Sequence, residues 1–186
     1  MHRESMASTD HYAYLAEAAL SHLSDAHCLR DSTIPCERLR CILFARSARC
    51  ALSALLSAQG SQHHACTLNL LTPVASLDRQ GRYFGRRLDK AQQHARQLSR
   101  VLILDQLDAG AGYVTRDLFD ARDVQACEAA AVFFVDTCCQ RLLRCTWEQA
   151  LIRFHPFRVP PMTDTTLWQR RHPATRPGNH SVRTLS

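Results

Sequence analysis

The sequence predicts an all-α fold, a four- or five-helix bundle over residues 9–150 that is followed by a flexible basic C-terminal tail. Apolar residues recur at intervals of three and four in four separate segments, which is the spacing of one helix face. Glycine and proline, the residues that most often interrupt helices, fall mainly between those segments. With 46% hydrophobic residues in a chain of 186, there are enough apolar side chains for one core.

The first helix is predicted from about Thr9 to Ala26. Its apolar residues share one helical face, and they are Tyr12, Leu15, Ala16, Ala19, Leu20 and Leu23. Ser8, Thr9 and Asp10 stand at its start, where side-chain oxygens are typical N-caps. Residues 1–8 are predicted to form a flexible N-terminus.

The second helix is predicted from Pro35, a residue favoured in the first helical turn, to about Ala58, with Gly60 just beyond its end. Its second half is apolar nearly all round, which is typical of a helix at the centre of a fold. Three arginines gather on one side of this helix: Arg38, Arg46 and Arg49.

Residues 61–85 give mixed signals, with short helices predicted at 65–71 and from Thr72-Pro73 onwards. A third long helix is predicted from about Arg87 to Leu107. One face of it carries Leu88, Ala91, Ala95, Leu98 and Leu102. The glycine-containing run 108–112 is expected to end it.

The last long helix begins with Asp120 as N-cap, and Asp123 three residues later gives an acidic variant of the capping box. Its apolar stripe is the clearest in the chain, with Val124, Cys127, Ala131, Phe134, Val135, Cys138, Leu142 and Cys145. The helix is predicted to end between Trp147 and Phe154.

Most of the positive charge belongs to the predicted tail. The formal net charge is +6, and residues 151–186 hold six arginines, five prolines and one acidic residue, so this segment is predicted to be disordered or loosely docked. Residues 30–100 hold twelve basic and four acidic residues, and acidic residues predominate on both sides. The middle segment is therefore expected either to bind a polyanion or to pack against the acidic ends.

No metal, cofactor or membrane is predicted. The nine cysteines lack a C-x-x-C pair and the N-terminus lacks a signal-peptide pattern, so Cys41, Cys50, Cys127 and Cys138 are expected to be small buried residues. The nearest approach to a ligand cluster is His63, His64 and Cys66, which could meet Cys127 or Cys145. Charged residues interrupt every apolar run, and a cytoplasmic location is expected.

The order of these helices resembles that of the small HEPN-type helical domains. The segments that carry the resemblance are RLRCILFARSARCALSALLSAQG, residues 38–60, and YVTRDLFDARDVQACEAAAVFFVDTCCQRLL, residues 113–143. The resemblance covers about residues 9–147. It implies a four- or five-helix bundle of the kind found in prokaryotic toxin–antitoxin and nucleotidyltransferase-associated systems.

Catalytic members of that family are metal-independent ribonucleases in which four to six residues separate an arginine from a histidine. Arg87 and His94 fit this spacing, so the resemblance makes them a candidate catalytic pair. The imidazole would move the 2′-hydroxyl proton while the guanidinium holds the phosphate. Leu88 stands where these enzymes commonly carry a polar residue. A solvated helix face is the competing interpretation.

The leading hypothesis is a non-catalytic binding or accessory module, working as a homodimer or with a protein partner such as a nucleotidyltransferase or a toxin or antitoxin component. The residues expected to contact phosphates or an acidic partner are Arg38, Arg46, Arg49, Arg82, Arg86 and Arg87. The alternatives are a ribonuclease that uses Arg87 and His94, an RNA-binding protein with an arginine-rich face, and a purely structural bundle.

Overall fold

The computed structural model of the chain describes residues 3–34, 36–61, 67–81, 83–111 and 119–154. These residues form α-helices and short helical turns without any strand, which confirms the predicted all-α class. The six α-helices among them are α1 (Arg3–Cys28), α2 (Glu37–Ala58), α3 (Leu71–Gly81), α4 (Leu88–Ala111), α5 (Ala121–Cys138) and α6 (Trp147–Phe154).

The helix α2 lies at the centre of the bundle, as its apolar sequence predicts. It packs most extensively against α1 and α5, and it also contacts α3 and α4. Alanines with almost no exposed surface, among them Ala19, Ala48 and Ala51, let the backbones of α1 and α2 approach closely. The Ser47 hydroxyl donates a buried hydrogen bond of 2.6 Å to the Ala19 carbonyl, which fixes the register of the two helices.

Among the described helices, α2 alone is long and apolar enough to cross a bilayer, with a mean hydropathy of 1.4 over 18 residues. Of that stretch, 61% is buried inside the bundle. A helix that is apolar all round and enclosed by other helices is the usual core helix of a helical domain.

The helix α1 begins earlier than predicted. It starts at Arg3, so Ser8, Thr9 and Asp10 lie inside the helix and the predicted N-cap at these positions is wrong. No proline or glycine stands between Arg3 and Asp10, and each added helical residue gains a backbone hydrogen bond once a helix exists. The predicted flexible N-terminus of residues 1–8 is therefore helical from Arg3 onwards.

The end of α2 is the glycine cap that the sequence predicts. Gly60 adopts a left-handed conformation with φ of 71°. The backbone N–H of Gly60 donates to the Ser57 carbonyl and that of Ser61 donates to the Leu56 carbonyl, at 3.0 and 3.1 Å. These two bonds form a Schellman motif, which satisfies carbonyls that the helix end leaves open.

Gly60→Ala is expected to lower the free energy of unfolding by about 1 kcal/mol, because a Cβ atom disfavours the left-handed conformation. No neighbouring atom lies within 4 Å of the added Cβ, so backbone strain is the cause. Gly60→Asn should cost less, since asparagine tolerates this conformation better. Urea unfolding followed by circular dichroism measures both variants. An asparagine variant less stable than the alanine variant would contradict this account.

The helix α4 keeps its predicted face, and both α3 and α4 differ from the prediction at their ends. The helix α3 starts at Leu71, whose N–H donates to the Asn69 side chain, so Thr72-Pro73 lies within the first turn and is not the cap. The apolar face predicted for the third long helix is buried or half-buried along α4. The helix α4 continues to Ala111 and thus passes Gly110, where the sequence predicted a stop.

The helix α5 has the predicted N-terminus and a different C-terminus. Asp120 accepts hydrogen bonds from the N–H groups of Arg122 and Asp123, and the Asp123 carboxylate accepts one from the Asp120 N–H, which confirms the capping box. After Cys138 the chain forms one π-helical turn, and Arg144 then adopts a left-handed conformation with φ of 57°. This residue separates α6 from α5.

The C-terminal limit predicted for the bundle, residue 150, differs from the structure. The helix α6 extends to Phe154, so residues 151–154, which the sequence placed in the tail, are helical. The Thr146 hydroxyl and the Gln149 side chain accept hydrogen bonds from each other's backbone N–H and thereby cap α6. Residues 155–186 of the predicted tail lie outside the described residues.

Candidate functional site

The connection between α3 and α4 is anchored on α5 by Phe84. The Phe84 ring is only 3% exposed, stacks on Phe133 with 6.1 Å between ring centroids, and meets Phe134 edge-on at 6.0 Å. Gly85, with φ of 49°, follows Phe84 and begins a short 3₁₀ turn that ends at Arg87. The buried ring and the turn together position the basic residues that follow.

Three basic side chains converge on Phe133. The Arg87 guanidinium lies 5.3 Å and the Lys90 ammonium 5.8 Å from the centroid of this ring, and the His94 ring lies 5.3 Å from it. Arg87 ends the 3₁₀ turn that leads directly into α4, and the spacing of three and four residues places all three side chains on one side. Both cations are exposed while Phe133 is half-buried, so the ring holds two positive charges at the surface.

A fourth basic residue extends this surface along α5. The Arg141 guanidinium lies 5.2 Å from the centroid of the Tyr83 ring. Tyr83 adjoins Phe84, and Arg141 lies eight residues beyond Phe133 in the π-helical turn that continues α5. We define the cation–aromatic face as these residues: Tyr83, Arg87, Lys90, Phe133 and Arg141.

The cations of this face lack acidic partners within the part of the chain that the structure describes. By contrast, Arg46 forms a 3.0 Å ion pair with Asp105, and Arg30 forms a 2.9 Å ion pair with Glu128. Arg87, Lys90 and Arg141 instead contact aromatic rings, which leave their hydrogen-bond donors available to a ligand.

The His94 ring packs against Phe133, beside the exposed cations of the face. Besides Phe133, its ring meets Phe134 with 6.5 Å between centroids. Its Nε2 atom is buried and finds no hydrogen-bond partner among the described residues. Burial first, and then the positive charge of Lys90, lower the pKa of His94 below its ordinary value. The imidazole is therefore neutral at pH 7.

The predicted catalytic pair is thus brought together on one ring, but its two members differ in access. Arg87 is exposed and can reach a ligand, whereas the Nε2 atom of His94 is enclosed. Transfer of a proton to this atom requires hydrogen-bond reach. In this conformation only the other ring nitrogen of His94 remains for such a contact.

The arginines of α2 do not join this face. Arg46 pairs with Asp105 near the end of α4, which lies fifteen residues, or roughly 22 Å along the helix, from Lys90. Arg49 lies near His22 of α1. Burial is the largest cause that lowers the pKa of His22; the charge of Asp25 opposes it, and the charge of Arg49 adds to it. Arg38 is half-buried on the same helix.

Of the remaining predicted site residues, only some are among those that the structure describes. Arg86 is exposed beside Arg87, while Arg82 lies outside the described residues, as do His63, His64 and Cys66. No group of three potential metal ligands occurs in the described parts of the chain. Cys41, Cys127 and Cys138 are buried as predicted, and Cys50 is half-buried. Burial raises the pKa of Cys138 to about 12, so its thiol stays protonated.

Comparisons of this chain with protein-family models, with curated proteins and with solved structures found no match. No family is assigned to it. The relationship to HEPN-type domains stays a prediction.

Sequence reasoning identified Arg87 and the nearby His94, and it missed Lys90, Phe133 and Arg141 of the face. Lys90, the only lysine of the chain, follows Arg87 by three residues, and His94 follows Lys90 by four. That helical spacing was a visible signal. The spacing of residues carries no equivalent signal for Phe133 and Arg141, because they belong to a different helix more than forty positions away.

Proposed function

We propose that this protein is a non-catalytic helical module that binds single-stranded RNA on the cation–aromatic face. The observation that carries the proposal is the pair of exposed cations, Arg87 and Lys90, held on the half-buried ring of Phe133 without an acidic partner among the described residues. The proposal keeps the binding module predicted from the sequence and names its ligand. Homodimer formation and a toxin–antitoxin partner remain predictions.

The chemistry of the face suits a nucleic-acid strand better than an acidic protein. Cations supply the phosphate contacts that dominate the affinity of nucleic-acid binding. Unpaired bases stack on aromatic rings and on the planes of arginine side chains, and an arginine held flat on a ring offers such a plane. The Arg87 and Arg141 guanidinium groups lie 5.3 and 5.2 Å from the ring centroids of Phe133 and Tyr83, so each arginine stands beside an aromatic ring at the surface.

The test is the affinity of the full chain for a fluorescent single-stranded RNA, measured by anisotropy over a range of salt concentrations. The double variant Arg87→Gln/Lys90→Gln should bind at least about tenfold more weakly at low salt. Because each lost phosphate contact reduces the slope of log K against log salt by about 0.7, the slope should fall by about 1.4.

A matched control removes the same charge elsewhere. Arg79 and Arg122 are exposed on α3 and α5 and do not belong to the cation–aromatic face. The variant Arg79→Gln/Arg122→Gln should bind RNA within about twofold of the wild type, since only distant, screened charges are lost. An equal loss of affinity in both double variants would mean that the net charge of the protein, and not the cation–aromatic face, determines RNA binding. Absence of RNA binding at every salt concentration, with helicity intact, would favour an acidic protein partner.

Cleavage of the bound strand is the second candidate, because Arg87 and His94 meet at the same ring. Under the binding proposal, RNA recovered from the complex is intact. Metal-independent degradation that His94→Ala abolishes at unchanged helicity would favour the ribonuclease instead. If the variant degraded RNA as fast as the wild type, another residue or a contaminating nuclease would be responsible.

A further inference from the structure

We propose that a groove between α3 and α4 binds a small anionic amphiphile, a molecule with one anionic head group and a short apolar body. The groove has a volume of about 380 Å³. It lies between the first turn of α3 and the second half of α4. The residues that determine its chemistry are Leu71, Arg96, Ser99, Arg100, Ile103 and Leu104.

The walls of the groove are apolar. Leu71 on α3 faces Ile103 and Leu104 on α4, and Ile103 is 43% exposed although it lies beside the bundle core. The Ser99 hydroxyl already donates to the Ala95 carbonyl at 2.6 Å and accepts from the Leu70 N–H at 2.8 Å. The walls therefore favour an apolar body, whose burial is driven by the hydrophobic effect.

Two guanidinium groups provide the charge for the head group. Arg96 and Arg100 are exposed, follow each other by one helical turn, and form no ion pair with a carboxylate of the described residues. Arginine binds carboxylates and phosphates through two parallel hydrogen bonds. An apolar cleft of a few hundred Å³ with a small number of charged groups is the usual form of a small-molecule site.

The groove is separate from the cation–aromatic face. Arg87 and Lys90 lie on the side of α4 that contacts Phe133 of α5, whereas Ile103 and Ser99 lie on the side that contacts α3. Binding in the groove therefore does not depend on RNA binding, and the failure of either proposal leaves the other standing.

The test is a titration of the full chain with octanoate, followed through the δ1-methyl signals of its isoleucines. The chain has four isoleucines, and Ile34, Ile103 and Ile152 are all exposed. The Ile103 signal should shift and saturate, while the signals of Ile34 and Ile152 stay in place. Octanol, which has the same body without the charge, should bind at least about tenfold more weakly, since it lacks a charge-assisted hydrogen bond.

Variants assign the head group to its arginines. Arg96→Gln/Arg100→Gln should weaken octanoate binding at least about tenfold, and the control Arg122→Gln on α5 should leave it unchanged. Equal shifts of Ile103 and Ile152, equal affinity for octanol, or unchanged binding by the double variant would each overturn the proposal. A shift of Ile103 on dilution without ligand would also overturn it, because a second copy of the chain would then occupy the groove.

Discussion

Phe44→Ala is expected to lower the free energy of unfolding of this protein by about 3–5 kcal/mol. Phe44 has no exposed surface and lies within α2, which contacts α1, α3, α4 and α5. Removing its ring leaves a cavity that the surrounding helices cannot fill without moving. Since natural domains are stable by only about 5–15 kcal/mol, the variant should lose a large share of the protein's total stability.

The effect of this substitution extends beyond the lost apolar contact. The Phe44 ring meets the His27 ring of α1 with 5.7 Å between centroids, and His27 meets Trp147 of α6 at 5.9 Å. Phe44 therefore supports the contact between three helices. We expect the loss of its ring to loosen α6 as well as the core around α2.

Urea unfolding of matched variants measures this prediction. Phe44→Leu, which keeps most of the volume, should cost less than about 1.5 kcal/mol. Leu39 lies on the same helix and is 48% exposed, so Leu39→Ala should cost no more than about 1 kcal/mol. A loss for Phe44→Ala as small as that for Leu39→Ala would contradict the central position of α2.

Glu128→Gln is expected to lower the free energy of unfolding by about 1–3 kcal/mol at pH 7, because it removes the acidic partner of a buried histidine. His27 is 8% exposed, and its Nε2 atom lies 3.0 Å from the Glu128 carboxylate. The carboxylate thus lies directly against the buried ring nitrogen, although the contact does not have the geometry of a regular hydrogen bond. Arg30 adds a second contact of 2.9 Å to the same oxygen atom.

The same carboxylate makes stability depend on pH. The contact with His27 lowers the pKa of Glu128 below its ordinary value of 4.5, with further help from the charges of His27, Arg30 and Arg40 and against the effect of burial. A carboxyl whose pKa is lowered by folding stabilises the fold above its unfolded pKa. This contribution is fully present above pH 4.5 and is lost as the pH falls through the lower folded value.

Unfolding curves at several pH values between 7 and 3 measure this dependence. The contribution of the Glu128 carboxylate to the difference in stability between the wild type and Glu128→Gln should hold down to about pH 4.5 and shrink as the pH falls further. Glu17 is exposed on α1, so Glu17→Gln serves as the control and should change stability little at any pH. A difference between wild type and Glu128→Gln that stays constant down to pH 3 would show that the ionised carboxylate is not the stabilising species.

Much of the local structure could be predicted from the sequence because it depends on residues close together in the chain. The buried face of α5 follows from apolar residues at helical spacing, and the capping box of Asp120 and Asp123 involves positions only three apart. Gly60 ends α2 because it tolerates a positive φ. The ends of α1 and α4 were predicted less well, since weak stop signals do not prevent a helix from continuing.

The candidate site, by contrast, depends on contacts between residues that are far apart in the chain. Arg87 was identified from its spacing to His94, but its aromatic partner Phe133 lies on another helix, and so does Glu128, the partner of His27. Arg46 was expected to contact a ligand, yet it pairs with Asp105 of α4. Nothing in the sequence distinguishes a paired arginine from one that lies on a ring.

The sequence by itself determined the helical class, the faces that are buried and the caps at Gly60 and Asp120, because periodicity and backbone preference act within a few residues. Only the tertiary structure decided which basic side chains stay available for a ligand. The packing of α4 on α5 sets the rotation of α4 about its axis and its position along α5, and these bring Arg87 and Lys90 to Phe133. These quantities depend on the whole core, and a single helix does not encode them.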